Sequence, residues 1–158
     1  ASVEVSTGAA WSAYAGPFTI SAEGTTTVSC RATDVAGNPG TGARSLTIDR
    51  VAPAVASTSP ANGAVGVPVT ASITVTLGEP VLAGAAWSEL QLTNGKKVVA
   101  VATSVAGSVL TLRPIVPLDR NRRYAVSIPG SAVTDLAGNA FPGGAGGTPY
   151  RFGFTTAK

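Results

Sequence analysis

Strict alternation is the feature that most limits what this chain can become. In Ala71-Ser72-Ile73-Thr74-Val75-Thr76-Leu77 every odd position is apolar and every even one carries a small hydroxyl side chain. Successive side chains of a strand point to opposite faces, so a period of two marks a half-buried β-strand and conflicts with the 3.6-residue period of an amphipathic helix. Similar runs occur at Val3–Val5, Phe18–Ile20, Val28–Ala32, Leu46–Ile48, Leu110–Leu112, Tyr124–Ile128 and Tyr150–Phe154. Charged residues make up 12% of the 158, with 19 Gly and 11 Pro, a composition that suits strands and turns and disfavours long helices. The expected class is all-β.

Turn chemistry orders these strands. Asn94-Gly95 separates Leu90-Gln91-Leu92-Thr93 from Lys96-Lys97-Val98-Val99 and predicts a β-hairpin, because both turn residues tolerate positive φ. A long Gly-rich excursion through Asp135 and residues 143–147 precedes the last strand, as in Greek-key sandwiches. The run Arg50-Val51-Ala52-Pro53 reads as a short stiff linker, since proline lacks a donor and holds the preceding residue extended. It divides the chain into residues 1–52 and 53–158. Each part contains the pattern Asp-x-Ala-Gly-Asn, at 34–38 and 135–139, in which Asp can accept backbone amides two residues on while Gly and Asn accept left-handed φ. A compact turn before a strand is expected in both.

Chemistry is sparse. The sequence has no His, which removes the usual general base at neutral pH, the Ser-His-Asp and Cys-His arrangements and most zinc and iron sites. The eight carboxylates (Glu4, Glu23, Asp34, Asp49, Glu79, Glu89, Asp119, Asp135) mostly lie beside turns or module ends, so solvated or turn-capping roles lead over paired-carboxylate catalysis. Neither catalytic residue nor cofactor is expected. Calcium is the least implausible ion, at Asp34 with Asn38 or Asp135 with Asn139, yet it takes six to eight oxygens and each loop supplies one carboxylate. Trp11, Tyr14 and Trp87 would stack sugar rings if they formed an exposed platform; core or inter-strand packing is the commoner use of such aromatics. Cys30 is expected to be a buried small hydrophobe on the apolar side of its strand.

Net charge is uneven. Residues 1–52 carry three Arg against four carboxylates, net −1, and residues 53–158 carry eight Lys and Arg against four, net +4. That density is too low to argue for nucleic acid, which asks for a dense basic stripe. Arg120, Arg122 and Arg123, with Arg113 nearby, form a local basic cluster, either a solvated turn or a contact for anionic wall polymers or lipopolysaccharide. The longest apolar stretch, Val81 to Trp87, is far short of a transmembrane span of about 20 residues. Gly143 to Gly147 lacks the Lys and Ser/Thr of a phosphate loop. The chain starts at Ala1 with no leader-like segment, as a mature product or an excised piece would.

Residues 53–156 resemble the bacterial Ig-like module first recognised in S-layer proteins, the SbsA type. The carrying residues are Ser59–Pro68, Ile73–Leu77 with Glu79-Pro80, Leu110–Pro114, Pro117-Leu118, Tyr124–Ile128, Asp135–Asn139 and Phe152–Thr156, in order. The chain departs from the family's usual Phe and Ser at Leu77 and Gly78. Residues 3–53 look like the C-terminal part of another extracellular bacterial Ig-like repeat, through Trp11, Tyr14, Pro17–Ile20, Glu23-Gly24, Thr27–Ala32 and Asp34–Asn38. About 50 residues is short for a full sandwich, so a partial module lacking N-terminal strands, with an unpaired sheet edge, is expected there. The resemblance implies tandem Ig-like Greek-key β-sandwiches, the second complete, in a non-catalytic extracellular spacer, scaffold or adhesion segment of a larger bacterial surface or secreted protein. Its partners would be neighbouring domains of the same polypeptide, without membrane insertion. A carbohydrate-binding accessory to a secreted polysaccharide-degrading enzyme, contacting cell-wall or extracellular glycan, is the alternative.

Overall fold

A computed structural model describes residues 1–8 and 10–158, and the chain folds as two compact units, Ala1–Arg50 and Val51–Lys158. Among its described residues unit 1 holds β1 (Ser2–Ser6), β2 (Ser12–Ala13), β3 (Gly24–Thr33) and β4 (Pro39–Ile48), joined in one antiparallel sheet of order β2-β1-β3-β4. Cross-strand partners share a face, so the register assigns the two faces directly. Pairs Val3↔Ala32, Val5↔Cys30, Thr26↔Leu46 and Gly24↔Ile48 make one face largely apolar, with Arg44 opposite Val28 on it. Pairs Thr25↔Thr47 and Thr27↔Ser45 line the other with hydroxyls that bond across the strands at 2.8 and 3.0 Å.

Unit 2 is built from β5 (Val55–Ser59), β6 (Ile73–Leu77), β7 (Val81–Ala83), β8 (Gln91–Asn94), β9 (Lys97–Val99), β10 (Val101–Ala106), β11 (Val109–Pro114), β12 (Arg123–Ile128), β13 (Val133–Asp135) and β14 (Tyr150–Thr155). Two antiparallel sheets, β10-β11-β6-β5 and β14-β12-β8-β9, carry the fold, with β13 and β7 as a separate pair. The alternation read at 71–77 is the burial pattern of β6: Ile73, Val75 and Leu77 are buried while Thr74 and Thr76 are half-buried. They are joined in the core by Leu110 and Leu112 of the same sheet and by Leu92, Tyr124, Val126, Ile128, Phe152 and Phe154 of the other. Among the described residues, every buried apolar side chain lies in unit 2.

The chain enters unit 2 at β5 and leaves it after β14 at opposite ends. Val55 pairs with Leu77, and Thr155 with Arg123, which follows the loop from the far end of β11. We call these the proximal and distal ends. Near the distal end the segment from Gly63 to Val67 runs parallel to β14, bonded through Gly63 N–H to Gly153 O, Thr155 N–H to Ala64 O, Val67 N–H to Thr155 O and Ala157 N–H to Val67 O.

The β8–β9 hairpin forms where the sequence places it, one residue out of phase. Asn94 pairs with Lys97, so the turn residues are Gly95 and Lys96. Gly95, at φ +61, sits first in the turn and Asn94 keeps an ordinary φ, the arrangement of a type II′ turn. The run at 18–20 is not a strand, and Cys30 is exposed rather than buried. Alternation does place Cys30 on the apolar face, but among the described residues of unit 1 no second sheet covers that face.

Candidate functional site

The two Asp-x-Ala-Gly-Asn segments fold identically. Asp135 Oδ1 accepts the backbone N–H of Ala137 and Asn139 at 2.9 and 2.7 Å, and its Oδ2 accepts Asn139 Nδ2–H at 2.7 Å. Asp34 makes the same three bonds to Ala36, Asn38 and the Asn38 amide, each at 2.8 Å. Gly138 and Gly37 take φ of +96 and +89, a region other residues enter at a cost. Both aspartates are therefore turn-capping groups whose carboxylate oxygens are occupied by their own loops. Asp135 is 2% exposed, and burial pushes its carboxyl up. The hydrogen bonds from the Asn139 side chain and the backbone of Asn139, Gly138 and Ala137 outweigh this and hold it below the ordinary aspartate value. Asp34 is lowered too, first by the Asn38 side chain. The Glu79 carboxylate comes within 4.8 Å of that of Asp135.

The aromatic residues stand in different surroundings. Trp87 is half-buried against the core of unit 2 in a single 3-10 turn, Trp87–Glu89. In unit 1 Trp11 is 38% exposed, but the Arg31 guanidinium lies 4.5 Å over its ring. Arg31 Nε donates in turn to Glu4 at 2.7 Å, which lowers the Glu4 carboxyl and raises the Arg31 guanidinium. Tyr14 and Phe18, each 48% exposed, border an open groove of about 640 Å³ with Ser6 and Ser12.

At the distal end of unit 2 one hydrogen-bonded node ties three segments together. Tyr124, 2% exposed at the start of β12, stacks on Phe154 at 5.7 Å and its hydroxyl accepts Asp119 N–H at 2.9 Å. Thr156 is equally buried; its hydroxyl donates to Asp119 O at 2.7 Å and accepts Arg122 N–H at 3.0 Å. The basic residues singled out in the sequence lie around this node. The structure adds Lys96 and Lys97 to them, at the tip of the hairpin. Sequence spacing hid that addition, because 25 or more residues separate the hairpin from Arg122.

Two facing antiparallel sheets, with a buried tyrosine at the start of β12 bonded back to the preceding corner, define an immunoglobulin-like β-sandwich. The profile of the family described as bacterial Ig-like domain matches residues 49–156, and the chain belongs to that family. Among solved structures, the N-terminal part of the bacterial S-layer protein SbsC is similar at 22% identity and a TM-score of 0.46, over 68% of this chain and 24% of that one. This chain thus corresponds to about a quarter of that protein chain. No curated protein matches it. Among the described residues no helix is long and apolar enough to cross a membrane.

Proposed function

We propose that the chain is a non-catalytic spacer and scaffolding segment of a larger bacterial surface or secreted protein. The observation that carries this reading is the path of unit 2, entered at its proximal end and left at its distal end around a closed core. A module traversed in this way sets a distance and an orientation between whatever lies on either side of it. Family membership supports the same reading. The test replaces residues 51–158, in the polypeptide that carries them, with an unrelated Ig-like sandwich of equal span. Display and activity of the flanking segments should survive. Their loss, with the protein still exported and folded, would overturn the reading. Antibodies to the chain should label intact cells or the culture medium; label found after lysis alone would count against the location.

The groove beside Tyr14 and Phe18 favours a second reading, a glycan-binding accessory module. Retention on insoluble polysaccharide, lost in Tyr14→Ala, is its mark; no retention removes it.

A further inference from the structure

Charge in unit 2 is sorted along its long axis. Lys96 and Lys97 lie at the β8–β9 turn, Arg113 at the end of β11, Arg120 and Arg122 in the loop that follows, and Arg123 at the start of β12. All six are exposed and all are at the distal end, where Asp119 is the carboxylate beside them. Glu79, Glu89 and Asp135 lie toward the proximal end, on segments that follow β6, precede β8 and end β13. None of the six cations is seen paired with a side-chain carboxylate among the described residues; Arg120 donates to Lys158 O at 2.8 Å. An overall +4 that looked dilute along the sequence is therefore a strong local field at one end.

The distal end is also grooved. One open groove of about 480 Å³ is bordered by Asn94, Asn121, Arg122 and Arg123. A second, of about 290 Å³, shares Asn94 and Tyr124 with it and adds Lys97 and Asp119. A third, of about 180 Å³, shares Val116 and Pro117 with the second and reaches Arg113. The three grooves share these lining residues, so cations border a track of neighbouring concavities at this end.

From this we propose that the distal end of unit 2 binds an anionic polysaccharide, a chain bearing repeated phosphate, sulfate or carboxylate groups, along the track between the β8–β9 hairpin and the β11–β12 loop. Arginine and lysine would take the anions, and the Asn94 and Asn121 amides could bond sugar hydroxyls. A bilayer fits less well. Exposed aliphatic residues lie at both ends, with Val65, Val98, Ile115 and Val116 distal and Val51, Leu82 and Leu136 proximal, so an apolar surface does not single out the charged end. Single-stranded nucleic acid fits less well too, because the aromatics stacked at this end, Tyr124 and Phe154, are buried and offer bases no stacking surface. The proposal does not rest on the spacer reading, and export or module-replacement results leave it untouched.

The test measures retention of the full chain on immobilised dextran sulfate, polygalacturonate and poly(glycerol phosphate), with neutral dextran as control, over a salt series. Binding to at least one anionic polymer, weakening steadily with salt, is expected, and the preferred polymer identifies the anion. R122Q/R123Q should lose roughly tenfold or more in affinity and show a shallower salt dependence. R44Q/R151Q removes the same charge from exposed sites elsewhere and should change affinity less than about twofold if the track is specific. Melting temperatures establish that both variants stay folded. Equal losses in the two variants, no binding at low ionic strength, or binding only to anionic-lipid vesicles or only to single-stranded DNA would each overturn the proposal.

Discussion

Tyr124 and Thr156 hold the distal corner of unit 2 by hydrogen bonds that water cannot readily replace, since both side chains are 2% exposed. Tyr124→Phe keeps the ring on Phe154 and strips the acceptor from the Asp119 amide, so a loss of about 1 kcal/mol in unfolding free energy is expected in denaturant titration. Tyr124→Ala also opens a cavity and should cost about 3–5 kcal/mol. Thr156→Val is nearly isosteric but leaves Asp119 O and Arg122 N–H unbonded, for about 1–2 kcal/mol. The two capping aspartates add a pH signature. Their carboxyls lie below the ordinary value in the folded chain, so their stabilisation is present above that value and disappears as pH falls from about 4. Melting temperature should drop over that acid range and drop less steeply in Asp135→Ala. At neutral pH Asp135→Ala should lower the melting temperature more than Asp34→Ala, because Asp135 is buried and Asp34 exposed.

Strand by strand, unit 1 repeats part of unit 2. Its order β2-β1-β3-β4 matches β9-β8-β12-β14, each beginning with a hairpin and each carrying the Asp-x-Ala-Gly-Asn turn ahead of its last strand. What covers the inner face of that sheet in unit 2 is β10-β11-β6-β5, and among the described residues of unit 1 there is no counterpart. Val3 and Leu46 are accordingly 49% and 46% exposed, and Cys30 lies open on the same face. Cys30 should therefore react with a maleimide in native buffer nearly as fast as in denaturant; strong protection would show that something covers the face. Alternation told which side of the strand Cys30 occupies, yet it carries no information on whether another layer lies above, which is why the thiol was expected to be buried. The segment 18–20 alternates equally well and forms no strand, because a strand also needs a neighbour to bond with. The Asn94-Gly95 signal located its hairpin but not its phase, since one glycine at the first turn position suffices for type II′.

At the scale of the whole chain, stability should be concentrated in residues 51–158. The buried apolar cluster lies there in full, so calorimetry of the complete chain should show a main cooperative transition that coincides with that of 51–158 alone. A large upward shift on adding residues 1–50 would contradict this. The fold class was legible because periodicity and turn residues are local properties, and the turn-capping role of Asp34 and Asp135 was legible for the same reason. The basic track was not, because it gathers a hairpin tip, a loop and two strand ends that only the sheet register brings to one place. The parallel run of residues 63–67 beside β14 was equally invisible in sequence. It has a mechanical consequence. Tension applied between Val51 and the end of β14 would load those hydrogen bonds along the strand axis, so that several must give way together instead of unzipping one by one.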